Sequence, residues 1–146
     1  RSVRARIYRA NSQTSEFTQV FYREDPRRPQ RGRFVLASEE LSRSSTQPYI
    51  HDCVVEVVHR RKRYKFRVFF KRHKKLPINQ PILQLSNARM DGNVLVVACG
   101  TKVSVKNLGS RLEACAANKA VQRFAQYIAP RLRTRRSFPA SAVFLD

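Results

Sequence analysis

The chain holds 146 residues, with 30 Lys+Arg against 10 Asp+Glu and a formal net charge of +20. That length suits one domain, and 42% hydrophobic residues supply a core, but such a charge repels itself in the compact state unless a polyanion is near. No stretch reaches the roughly 20 apolar residues of a membrane span, and the basic residues are spread through strands and loops instead of along one amphipathic helix, which argues against a membrane surface; nucleic acid is the polyanion that remains.

Residues 1–50 read as an N-terminal extension, largely irregular, ahead of a domain at 51–146. The opening "RSVRARIYRANSQTS" is rich in Arg and Ser and has no acid before Glu16. That is the composition of an organellar targeting segment or of an ordinary basic arm. Phe17, Val20, Phe21 and Tyr22 make a small apolar patch, and Phe34, Val35 and Leu36 make another. Between them "REDPRRPQRGR" has the Pro and Gly of a loop, and "SEELSRSSTQP" is polar. The extension is expected to wrap a partner or pack on the domain.

From Cys53 the pattern changes. "CVVEVVH" is β-branched and predicts a strand. "RYKFRVFF" alternates, with Tyr64, Phe66, Val68 and Phe70 on one side and Lys65, Arg67 and Phe69 on the other. "RRKR" joins the two as a hairpin connection, without the Gly or Asn of a tight turn. After a basic loop with Pro77 and Pro81, "PILQLSNARM" predicts a further strand. Asp91 and Gly92 then make a hairpin turn into "NVLVVACG", after which "TKVSVKN" extends the strand or bends away past Gly100.

One helix announces itself. Ser110 and Glu113 form a capping box. Leu112, Ala116, Ala117, Ala120, Val121, Phe124, Ala125 and Ile128 make its apolar stripe, and Pro130 stops it. "RLRTRRS" is a basic loop and "ASAVFLD" a last short strand. The expected fold is α/β: a mostly antiparallel sheet with one long Ala-rich helix packed on it and a further strand, preceded by the irregular basic extension. One face of that sheet is left open, or covered by RNA or by further elements.

The block "RRKRYKFRVFFKRHKK", Arg60 to Lys75, then has an explanation. Its aromatics either face the helix as core or stack on bases. The core reading is favoured, because the apolar helix needs an apolar sheet face. Lys65 and Arg67 then project from the other face, and a rigid strand displays cations for phosphates.

Catalytic patterns are missing: the sequence has no Gly-rich phosphate loop, no GxSxG and no HExxH. His51, His59 and His73 have no partner at a ligand or triad spacing. Asp52 and Glu56 share one side of a strand, the minimum for a metal-dependent nuclease, but read better as partners of nearby Arg. Cys53, Cys99 and Cys115 form no CxxC pair and read as reduced, buried hydrophobes. The expectation is therefore no catalytic residue, no metal, no cofactor and no small-molecule substrate.

The order "YKFRVFFKRHKK", "PILQLSNARMDGNVLVVACGT", "NKAVQRFAQYIAPRL", "AVFLD" resembles the universal large-subunit ribosomal protein eighteen family, which binds 5S rRNA. The resemblance spans residues 60 to 146. The segment "VVACGTKVSVKN" is also similar to part of the small-subunit protein eleven family, which shares that fold. By resemblance the RNA contacts fall on Arg60, Arg61, Lys62 and Arg63, on Lys65 and Arg67, and on Lys71, Arg72, Lys74 and Lys75. Electrostatics independently adds Arg131, Arg133, Arg135 and Arg136. The longer loop "KRHKKLPINQ" and the unmatched extension are what a divergent organellar member would carry. The resemblance implies a structural constituent of the mitochondrial large subunit, with rRNA and neighbouring ribosomal proteins as partners. The competing class is a free-standing RNA- or DNA-binding regulator.

Overall fold

The computed structural model describes residues 2–24, 34–37, 50–72, 76–100, 105–134, 137 and 139–146. Its strands are β1 (Ser2–Tyr8), β2 (Glu16–Glu24), β3 (Phe34–Ala37), β4 (His51–His59), β5 (Lys62–Phe70), β6 (Val94–Cys99), β7 (Val105–Lys106) and β8 (Ser141–Phe144). They form one sheet in the order β3-β2-β1-β6-β5-β4-β8, with β7 beside β6. Every pairing is antiparallel except β4 with β8. A short helix, α1 (Gln80–Ser86), precedes β6. The long helix runs as α2 (Arg111–Arg123), a π turn (Phe124–Ile128) and α3 (Ala129–Arg133).

Alternation fixes which residues face the helix. In β5, Phe66, Val68 and Phe70 are fully buried, opposite Val55, Cys53 and His51 of β4. They join Val94, Val96 and Ala98 of β6 and Ala116, Ala117, Ala120, Val121 and Phe124 of the helix in one core. The alanines let the helix lie close, and Phe124 meets Phe70 at 5.1 Å between ring centroids. Each fully buried Phe or Val contributes about 1.5–3 kcal/mol. The helix starts as expected: the Ser110 hydroxyl accepts from the Glu113 N–H at 3.1 Å. Lys119 Nζ donates to the carbonyl of Val58 at 2.6 Å, and Arg123 pairs with Asp146 at 3.0 Å, tying the end of β8 to helix and sheet.

The α/β class, the mostly antiparallel sheet and the long helix are thus as the sequence led us to expect. Several parts differ. Residues 2–24 are not irregular, because they form β1 and β2 and lengthen the sheet. In "VRARIY" every second residue is apolar, and Val3, Ala5 and Ile7 turn to one face and are buried. With Val20, Phe69, Leu95 and Val97 they form a second cluster on the face away from the helix, so that face is not left open there.

"PILQLS" is helix, not strand. The Asn79 side chain caps it by accepting from the Ile82 N–H at 3.0 Å, and Pro81 sits in the first turn, where its missing N–H has no cost. Asn79 is fully buried, and its amide also donates to the carbonyls of Tyr8 and Gly92, each at 2.8 Å. Asp91 and Gly92 therefore turn the chain from α1 into β6 instead of closing a hairpin. Gly92 has φ +81°, and an added Cβ would lie 2.8 Å from the Leu76 side chain.

Pro130 does not stop the helix. The Ala129 N–H reaches back to the Phe124 carbonyl, widening one turn to π geometry. Pro130 then falls in the first turn of α3. Leu112, expected in the stripe, is 45% exposed. Ala114 is buried on the same helix.

Candidate nucleic-acid interface

The connection between β4 and β5 is two residues long, Arg60 and Arg61, closed by the pair His59 and Lys62. Both arginines have positive φ, 50° and 67°. Two-residue hairpins of this geometry normally take Asn-Gly, since a Cβ in the left-handed region is crowded. Holding arginine there costs on the order of 1 kcal/mol per residue. Both side chains are exposed, as are Lys62, Arg63 and Lys65. Pairing of β5 with β6 begins only at Phe66, so these five cations stand at a projecting hairpin end.

The electrostatics of that end are lopsided. Glu56 answers Arg63 at 3.0 Å. Lys62 Nζ lies 5.3 Å from the centroid of the Tyr64 ring. A cleft of about 360 Å³ opens alongside, lined by Lys62, Arg63, Lys65 and Lys106 against Glu56 and Glu113. Tyr64, Phe66, Ala98 and Cys99 supply its apolar wall, and burial pushes the Cys99 thiol pKa up. Four cations against two acids in a half-open cleft make a place for a phosphate.

The predicted residues do not form one patch. Arg60, Arg61, Lys62, Arg63 and Lys65 gather at the hairpin end. Lys71, Arg72, Arg131 and Arg133 lie at the opposite end of β5, about 30 Å away at strand rise. There Arg72 Nη2 donates to the carbonyl of Leu132 at 3.4 Å, and Arg133 Nη1 donates to that of Arg89 at 2.9 Å. Arg131 is exposed. Lys74, Lys75, Arg135 and Arg136 lie outside the described residues.

Two of the expected contacts need correction. Arg67 is 6% exposed, with Nε 3.5 Å from the Asp52 carboxylate. It projects from the face opposite the helix, as alternation requires, but that face is packed beside it by Phe69 and Val97. Lys71 is 9% exposed, and burial lowers its ammonium pKa. Neither is displayed as Lys65 is. Asp52 and Glu56 do share a face, and both are engaged by arginines.

Sequence reasoning missed Lys106, Arg4 and Arg6. Arg4 and Arg6 sit on β1 beside Phe17 of β2, their guanidinium carbons 3.9 and 4.9 Å from its ring centroid. The alternation of Arg with Val, Ala and Ile in "VRARI" was the available signal. Comparison of the chain with protein-family models, with curated proteins and with solved structures finds no match.

Proposed function

We propose that the protein binds rRNA as a structural constituent of a ribosome, in the large subunit of mitochondria, with neighbouring ribosomal proteins as further partners. The observation that carries the RNA-binding part is the hairpin end: five exposed cations, two in the turn and three on a strand whose other half is anchored in the core. The ribosomal part is supported by the resemblance of residues 60 to 146, whose two basic segments flank β5. The proposal includes no catalytic step, since Asp52 and Glu56 serve as counterions to Arg67 and Arg63.

Gradient sedimentation of a lysate tests it. The protein should co-migrate with ribosomal particles at moderate salt; a free or DNA-bound pool would favour the regulator instead. For the isolated protein and a structured RNA, log K should fall by about 0.7–0.9 per contacted phosphate for each tenfold rise in salt. Reversing Arg60, Arg61, Lys62 and Lys65 to Glu should flatten that slope, and an unchanged slope would remove the hairpin end from the interface.

A further inference from the structure

The exposed part of the β1–β2 surface has a composition that the core does not explain. Direct cross-strand partners share a face, and the register pairs Arg6 with Phe17, Arg4 with Gln19 and Ser2 with Phe21. All of these lie on the helix side of the sheet, because Tyr8, two residues beyond Arg6, is buried in the helix-side core and donates to Asn118 of α2 at 2.5 Å. The helix does not cover this far end. Phe21 is 63% exposed and Phe17 36%. Lys106, opposite the core residue Ala98, adds an exposed cation to the same face. None of the described residues on this face of β1 and β2 is an acid.

The cations here are held in place. Arg6 Nε donates to the Ser15 hydroxyl at 2.9 Å. The Arg4 backbone N–H donates to Asn107 Oδ1 at 2.8 Å, and its carbonyl accepts from the Leu108 N–H at 2.9 Å, which fixes β1 against the chain leaving β7. Both guanidinium groups lie over Phe17. Phe21 is four residues along the same strand, so its ring stands about 13 Å away at strand rise.

We propose that this face is a stacking platform for single-stranded RNA, carried by β1 and β2, which shares only Lys106 with the hairpin-end cleft and is independent of the ribosomal reading. Phe21 and the Arg4–Arg6–Phe17 stack each take a base, and Lys106 with the outer edges of the guanidinium groups takes phosphates. A protein partner would find two exposed aromatics here as well, but no acid-free cationic surround is needed for that contact. For a polyanion with bases both features are used.

The test uses the full chain, a fluorescein-labelled dodecauridylate and an abasic oligomer of the same length and charge. The wild type should prefer the base-bearing strand. Phe21→Ala should weaken that strand about 5- to 140-fold while leaving abasic binding unchanged. Phe17→Ala should do the same, with circular dichroism confirming that both variants fold. Equal affinity of the wild type for the two oligomers, or unchanged affinity of Phe21→Ala for dodecauridylate, would overturn the platform. Arg60→Glu/Arg61→Glu serves as the other arm: it should weaken both oligomers alike and keep the preference for bases. If it alone weakens binding, the platform fails and the hairpin end stands. If only the Phe variants do, the hairpin end fails and the platform stands.

Discussion

At one end of β5, Lys62, Arg63 and Lys65 stand in solvent before the pairing with β6 begins; at the other, Arg67 and Lys71 are 6% and 9% exposed. The residue types are the same and the strand is continuous. The difference lies in the neighbours. Arg67 is flanked by β4 and β6 on both edges and sits beside Phe69, whose ring belongs to the second apolar cluster. Lys65 has the edge of a cleft beside it. A cation in a strand is therefore a ligand-facing group or a packing group according to how far the sheet extends beside it. The long methylene stem of Arg67 lines apolar surface while its head reaches Asp52.

The largest expected effect lies on the core side of the same strand. Phe66→Ala removes a fully buried ring and should cost about 3–5 kcal/mol in urea unfolding. Arg67→Ala should cost about 1.5 kcal/mol, because the two buried methylenes Cγ and Cδ go with the guanidinium. Lys65→Ala should stay within about 0.5 kcal/mol and lose RNA affinity instead. If Arg67→Ala and Lys65→Ala proved equally neutral in unfolding, the two halves of β5 would not differ as described. A Phe66→Ala variant with unchanged stability and weakened RNA binding would place that ring at a base, not in the core.

The hairpin end offers an effect of opposite sign. Arg60→Asn with Arg61→Gly places in the left-handed positions the residues that the turn favours, and should raise stability by about 2 kcal/mol. It also removes two of the five displayed cations, so RNA affinity should fall as stability rises. Such a trade, measured on one variant by denaturation and by RNA titration, is what backbone strain retained for binding predicts. A variant that gains no stability would show that this connection carries no strain.

The sequence made the central part of this legible for physical reasons that can be named. The alternation of Tyr64, Phe66, Val68 and Phe70 and the small-residue stripe of Ala116, Ala117 and Ala120 each obey one period, and the two match because they form one core. What failed was reading local composition where tertiary contacts decide. "PILQLS" is apolar enough for a strand, yet Asn79 bonds β1, the Gly92 turn and the first turn of α1 at once, and a strand could not satisfy all three. The N-terminal Arg-rich stretch looked like a tail because its charge outweighed the two-residue alternation of Val3, Ala5 and Ile7. Within the candidate site, exposure was the illegible quantity. Nothing in "RYKFRVFFK" separates Lys65 from Arg67 until the end of β6 is known.

The smallest effect concerns the packed end. His51 opens β4 and stacks on Phe70, with ring centroids 5.9 Å apart. Burial lowers its pKa below the ordinary value of 6.5, the positive charge of Arg72 adds to the shift, and Asp52 opposes it. The folded protein thus holds this proton less firmly than the unfolded chain does. Stability should rise with pH through the window just below 6.5, and fall as acidification charges the unfolded imidazole first. His51→Gln removes the titrating group while keeping a polar side chain, so its urea midpoint should vary less between pH 7.5 and 5.5 than that of the wild type. The rest of the chain is common to both proteins, so the difference between them isolates this one imidazole. Arg72→Gln should shrink the same pH dependence in part, since it removes the second cause and leaves the burial. If both variants keep the full wild-type slope, the packed end of β5 is not where the fold senses charge, and the contrast with the hairpin end rests on exposure alone.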